Sequence, residues 1–263
     1  MKWNMILLAG ALFSAFYVKA EEDSLGVIGD DLDLYAVLNA FKISDDIESF
    51  EKAINDPEAK ISNLDLDENG EVDYLKVIDN SEGDVHALVI QVDVSETESQ
   101  DVAVIELEKT GDENVTVQIV GDEDLYGADY IVEPLTDVVN VKSLHGATGL
   151  VINVWIWPSV RFIYGPKYVR WVSPWKFRSH PVWFKPWKPT TWRVYHTHNH
   201  RHHAYFHRAT VRRCATAHAL YRRHRVVSAR VHHHPRYRGA QGHPHHTGGG
   251  REEMSVTVID TDL

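Results

Sequence analysis

Val72-Asp73-Tyr74-Leu75-Lys76-Val77-Ile78, then Asn80-Ser81-Glu82-Gly83-Asp84, then Val85 to Val94, is the stretch on which the fold turns. Its β-branched and aromatic residues recur with a period of two, the spacing that gives a strand two different faces. The polar run between the two apolar runs reads as a turn. Further strands are expected over Val102 to Leu107 and Val115 to Val120, joined by the turn Thr110-Gly111-Asp112-Glu113-Asn114. Four short strands linked by polar turns predict an antiparallel meander.

Upstream the period lengthens. Leu32, Tyr35, Leu38 and Phe41 recur at three-residue spacing, as one buried helix face requires. Ser44 is the expected cap of a second helix, with Asp45 and Asp46 in its first turn and Ile47, Phe50 and Ile54 as its inner stripe. Asn55-Asp56-Pro57 ends it. Two helices laid on one face of the meander give an α+β domain. Downstream, Gly121 to Leu135 reads as a loop anchored by Tyr126 and Tyr130, with more strand expected over Val138 to Val141 and Leu150 to Trp157.

Charge divides the chain sharply. Residues 21–137 carry 34 acidic side chains against five Lys and no Arg, a net −29. Residues 138–251 carry no acid, five Lys and 15 Arg, a net +20, together with 16 of the 17 His. Such a split predicts two regions with different jobs. The expected organisation is a secretory leader over 1–20, an acidic domain over 21–157, a Trp/Pro-rich extended segment over 158–195 and a His/Arg-rich tail over 196–263. That tail is expected to be largely disordered, with a basic helix near 204–227 and a terminal strand at Met254 to Asp260. The leader reading rests on Lys2, the short apolar core Met5 to Phe13 and the small residues Val18 and Ala20 before Glu21. It implies export to the periplasm, the cell envelope or the medium. Cys214, the single cysteine, excludes an internal disulfide and has no catalytic framework around it.

The sharpest motif is Asp65-Leu66-Asp67-Glu68-Asn69-Gly70-Glu71-Val72-Asp73. An EF-hand loop needs oxygen donors at positions 1, 3 and 5, Gly at 6, a carbonyl at 7 and an apolar residue at 8. Asp65, Asp67, Asn69, Gly70, Glu71 and Val72 fill these in order, and Asp73 stands at position 9. Position 12 departs from the pattern: Lys76 replaces the bidentate Glu, and strand rather than helix follows. The expected ligands for calcium are Asp65, Asp67, Asn69, Glu71 and Asp73, in a weak site with a dissociation constant on the order of 0.1–1 mM. An Asx-rich turn that needs no ion reads the same residues another way.

Asn63-Leu64-Asp65-Leu66-Asp67-Glu68-Asn69-Gly70-Glu71-Val72-Asp73-Tyr74 resembles the signature of an uncharacterised family of exported bacterial proteins. Gln100 to Glu106, Val117 to Glu123, Tyr130 to Pro134, Asn153-Val154-Trp155 and Val172-Ser173-Pro174-Trp175 add to the resemblance, which spans roughly residues 30 to 192. It implies export and the Asp-rich loop, and it brings no activity, substrate or catalytic residue. The EF-hand label carries over to the loop alone, not to a helix-loop-helix pair.

In the basic region, His196, His198, His200, His202, His203, His232, His233 and His234 are candidate ligands for Zn2+, Cu2+ or Ni2+. They also read as a charge that grows as pH falls through ~6.5. Lys and Arg interleaved with Trp and Tyr suit an anionic surface such as lipopolysaccharide, membrane or acidic glycan. Export argues against nucleic acid. The nearest counter-ion, however, is the chain's own acidic domain. No Gly-x-Ser-x-Gly, His-Glu-x-x-His or phosphate loop occurs, so an enzyme is not expected. The expected function is thus an exported, non-enzymatic calcium-binding protein with a cationic aromatic tail for anionic partners. The alternative is a transition-metal binder acting through its His tract.

Overall fold

The computed structural model describes residues 28–135 and 153–234; the expected leader, the Val138 to Val141 strand and the terminal strand lie outside them. A 3-10 turn at Ile28–Asp31 leads into α1 (Leu34–Ile43), whose first turn is closed by the Asp33 carboxylate accepting from the Ala36 N–H. α2 (Ile47–Ile54) follows at once. Its cap is Asp46, reciprocated by Ser49 in a capping box, rather than the expected Ser44, which instead ends α1. Phe41 and Phe50 meet edge to face at 5.4 Å and join the two helices.

The sheet is antiparallel, and its six strands lie in chain order: β1 (Lys76–Glu82), β2 (Val85–Asp93), β3 (Ser99–Lys109), β4 (Val115–Gly121), β5 (Ile131–Pro134) and β6 (Phe206–Ala209). The α+β class and the antiparallel meander match the expectation of a sheet of four or more strands; the segments that supply the strands beyond the fourth are not the expected ones. β5 falls in the expected loop, where a short helix α3 (Glu123–Tyr126) precedes it, because four residues are too few to show alternation. β6 comes from the basic region and pairs Ile131 with Ala209 and Pro134 with Phe206. The first strand begins at Lys76 rather than Val72, since the Val72 and Leu75 N–H groups donate to the Trp187 carbonyl and the Asn55 side chain. Residues 153–157 are a turn and not the expected strand; Pro158 then opens α4 (Pro158–Ile163) from the first helical position, where a missing N–H costs nothing.

Leu88, Ile90, Ile105, Leu107, Val117 and Ile119 face α1 and α2 in the main core. The opposite face carries a smaller core of Ala87, Val89, Val104, Val120 and Ile131, covered by Leu220 and Tyr221 of α6 (Ala215–His224). The described part of the basic region is thus built into the fold. α5 (Trp192–Asn199) and a 3-10 turn precede β6, and α7 (Ala229–His233) follows α6. The helix expected over 204–227 is therefore a strand and a shorter helix. Between α4 and α5 the Pro-rich chain runs along the free edge of β1, where Asp79 N–H donates to Trp171 and Ser173 N–H to Val77. Of the 15 ion pairs among the described residues, 13 join the acidic half to the basic half, so charge as well as apolar area holds the second face closed.

Candidate metal centre

The loop between α2 and β1 alternates in burial. Leu64, Leu66, Val72 and Tyr74 turn into the protein, while Asp65 and Asp67 stay partly open. Asp73 is the exception among the acids: it is buried, and its carboxylate accepts from the Leu66 N–H across the loop. Asp65 accepts from the Asn69 and Gly70 N–H groups, each at 2.9 Å, and the Asn69 side-chain oxygen accepts from Glu71 N–H at 2.7 Å. These bonds curl the chain tightly enough to need left-handed backbone at Gly70 (φ +84°), where a side chain would be strained, and at Glu68 (φ +59°).

The curl brings one carboxylate oxygen from each of Asp65, Asp67 and Asp73 within 4.8 Å of the others. Of the five expected ligands these three converge. The Asn69 side-chain oxygen accepts from Glu71 N–H, and the Glu71 carboxylate, exposed, stands outside the group, position 7 being one that a loop of this kind fills with a backbone carbonyl. Lys76, at the place of the missing acid, pairs with Asp93 on β2, so its charge is matched away from the three aspartates. No ion pair among the described residues reaches Asp65, Asp67 or Asp73. Burial pushes the Asp73 carboxyl up to about 8, against the Leu66 bond and with help from the Asp67 and Asp65 charges. Asp65 is also raised, first by burial and then by Asp67, with the Gly70 and Asn69 bonds opposing. Three clustered carboxylates with no protein cation are a donor set that suits a hard divalent ion. The residues present could therefore hold a hard divalent cation, with fewer acids than a full EF-hand loop supplies.

Beside the loop lies a cavity of about 550 Å³. Asp67, Asn69, Glu71 and Asp73 form one wall; Lys176, Arg178 and His180 stand on the Pro-rich segment, with Tyr74 and Phe184 also lining it.

The histidines expected to gather a transition metal are placed differently. His196 stacks on Trp192 (4.7 Å), and His203 stacks on Tyr35 (3.8 Å). The His196 and His203 rings each lie near His200, at 5.8 and 5.0 Å. His198 and His202 hydrogen-bond Arg201. His232 pairs with Asp124 and His234 with Glu68, and the His233 ring lies against His232. Among the described residues the aspartate triad is the one group of three or more His, Cys, Asp or Glu close enough to hold a metal.

Sequence reading missed the groups that join the two halves. Glu106 receives His218 Nδ1 at 2.7 Å and Arg212, and Glu133 receives Arg213 at 2.9 Å. Asp122 is gripped by Arg225 through both carboxylate oxygens. Asp79 holds His86 (2.9 Å) and the Tyr168 hydroxyl (2.7 Å) deep under the Pro-rich segment. Among the described residues no Ser, Thr or Cys side chain is hydrogen-bonded to that Asp-His pair. Cys214 is buried and bonded only weakly to the Thr116 carbonyl. No protein-family model, curated protein or solved structure matches the chain.

Proposed function

We propose that this chain is an exported, non-enzymatic calcium-binding protein in which Asp65, Asp67 and Asp73 hold the ion. The observation that carries the reading is the convergence of three carboxylates, one of them buried, with no Lys, Arg or His paired to them among the described residues. Bringing them together costs electrostatic repulsion that a divalent cation relieves, and oxygen donors favour calcium over zinc or copper. The role is structural: the ion fastens the loop that leads from α2 into β1. The apolar leader and the resemblance to exported bacterial proteins support the compartment, where calcium is available at the concentrations a weak site needs. The missing acid at Lys76 keeps affinity low.

The test is a thermal melt of the full chain in EDTA, in 10 mM calcium and in equimolar zinc. With a dissociation constant near 1 mM, calcium stabilises by about 1.4 kcal/mol, which for a chain of this size raises Tm by roughly 3–6 °C. An identical Tm in EDTA and calcium removes the proposal; a shift with zinc alone hands the metal role to the histidines.

A further inference from the structure

The basic half of the chain uses its charge in two ways. From His203 to His234, the described cations reach carboxylates of the acidic half repeatedly, through Arg212, Arg213, Arg222, Arg223 and Arg225 and through five histidines. The stretch 176–188 behaves otherwise. Lys176, Arg178, Lys185 and Lys188 are exposed and, like Arg161, Lys167, Arg170 and Arg193 before and after them, form no ion pair among the described residues; Lys176 and Arg178 line the cavity beside the Asp loop. A tight turn, in which Lys176 and Ser179 exchange backbone hydrogen bonds and Arg178 takes a positive φ of 56°, pushes this stretch outward. Val182 at its tip is 97% exposed and Trp183 42%, while Phe184 anchors the segment from beneath against Tyr74 at 4.9 Å.

We infer that residues 176–188 form a docking surface for an anionic lipid bilayer. Cations without an ion pair on the same short stretch as an exposed Val and Trp combine attraction to anionic headgroups with side chains that gain by entering the interface. The apolar tip decides between anionic partners, since an acidic glycan or a nucleic acid offers the cations a counter-charge but offers Val182 no apolar layer. Contact is peripheral: no helix among the described residues is long and apolar enough to cross a membrane. The described Arg/His stretch from His203 to His234, rich in charge by composition, is largely matched to the chain's own acids and contributes little.

Sedimentation of the full chain with phosphatidylglycerol vesicles, against phosphatidylcholine vesicles, tests this. EDTA is kept throughout so that the outcome is independent of the calcium reading. Retention is expected on the anionic vesicles alone, falling as NaCl rises from 50 to 500 mM and accompanied by a blue shift of Trp fluorescence. Neutralising Lys176, Arg178, Lys185 and Lys188 to Gln should weaken partitioning by about fivefold for each cation removed. Val182→Asp, at a position too exposed to affect folding, should weaken it at least as much as one such change. Arg223→Gln, whose charge is already matched by Glu82 at 3.0 Å, should change it less than twofold. Equal retention on neutral vesicles, an Arg223→Gln loss matching the quadruple variant, or insensitivity to Val182→Asp overturns the inference. So does capture by a polyanionic glycan matrix without capture by vesicles.

Discussion

Replacing Arg225 by Gln tests whether the basic region is part of the fold. The guanidinium bonds both oxygens of Asp122 at 2.6 and 2.8 Å, Asp124 at 2.7 Å and Glu123 at 3.0 Å. Asp122 and Asp124 are buried, so losing the cation leaves uncompensated charge in a low-dielectric site. Breaking a buried pair costs about 3–5 kcal/mol. The lower end applies here because the Arg225 side chain is 17% exposed and the Tyr221 hydroxyl and Gln100 still donate to Asp122. A loss of about 3 kcal/mol lowers Tm by roughly 6–12 °C for a chain of this size. Calorimetry in EDTA reads it, with Arg222→Gln as control: that pair, at 3.4 Å and half exposed on both sides, contributes at most about 1 kcal/mol. Adding Asp122→Asn to Arg225→Gln should recover much of the loss by removing the stranded charge. Raising salt to 0.5 M should close the Arg222 gap and leave most of the Arg225 gap. An Arg225→Gln loss no larger than that of Arg222→Gln refutes the reasoning.

Asp101 gives a pH test. Burial pushes its carboxyl up to about 6, against hydrogen bonds from Gln91 and the Val226 N–H. A carboxyl raised in the folded state contributes stability that is complete below its ordinary 3.8 and is lost as pH rises through about 6. The stability of the native chain relative to Asp101→Asn should therefore fall by on the order of 3 kcal/mol between pH 4 and pH 7, read by denaturant titration; parallel curves contradict the burial argument. Asp73→Asn should abolish the calcium-dependent rise in Tm while leaving the Tm in EDTA equal or higher, since an amide keeps an oxygen for the Leu66 N–H and removes repulsion from Asp65 and Asp67. Cys214, with its thiol pushed well above the ordinary range first by burial and then by Glu106, Glu108 and Glu133, should resist alkylation in the native chain and react only on unfolding, as mass spectrometry can follow.

The elements legible in the sequence were those whose signal is local. The stripe Ile47, Phe50, Ile54 and the apolar runs of β2, β3 and β4 depend on spacing within one element, and each formed where its period placed it. The Asp loop was legible for the same reason: six acidic or amide side chains in nine residues bend the backbone themselves, through Asp65 and Asn69. Illegible was anything whose stability comes from a partner more than 70 residues away. β6, Phe-His-Arg-Ala, has no strand pattern and exists because β5 offers it a free edge. Trp171 and Ser173 look like turn residues until β1 presents its edge to them.

The same distinction explains what closes the second face of the sheet. On β3, Val104 shares its face with Glu106 and Glu108, and on β4 Val120 shares its face with Gln118, so that face mixes apolar and polar residues. Here those polar residues are the receptors for the basic region. Glu108 accepts the Thr216 and Ala217 N–H groups at 2.6 and 2.9 Å and so closes the first turn of α6, which has no cap of its own. Gln118 accepts the Arg213 and Cys214 N–H groups just before it, and Glu106 takes His218 one turn into it. A strand that would read as half-exposed in isolation becomes buried when its acids meet a segment that carries only cations. The division of charge along the chain is therefore a folding instruction for that segment.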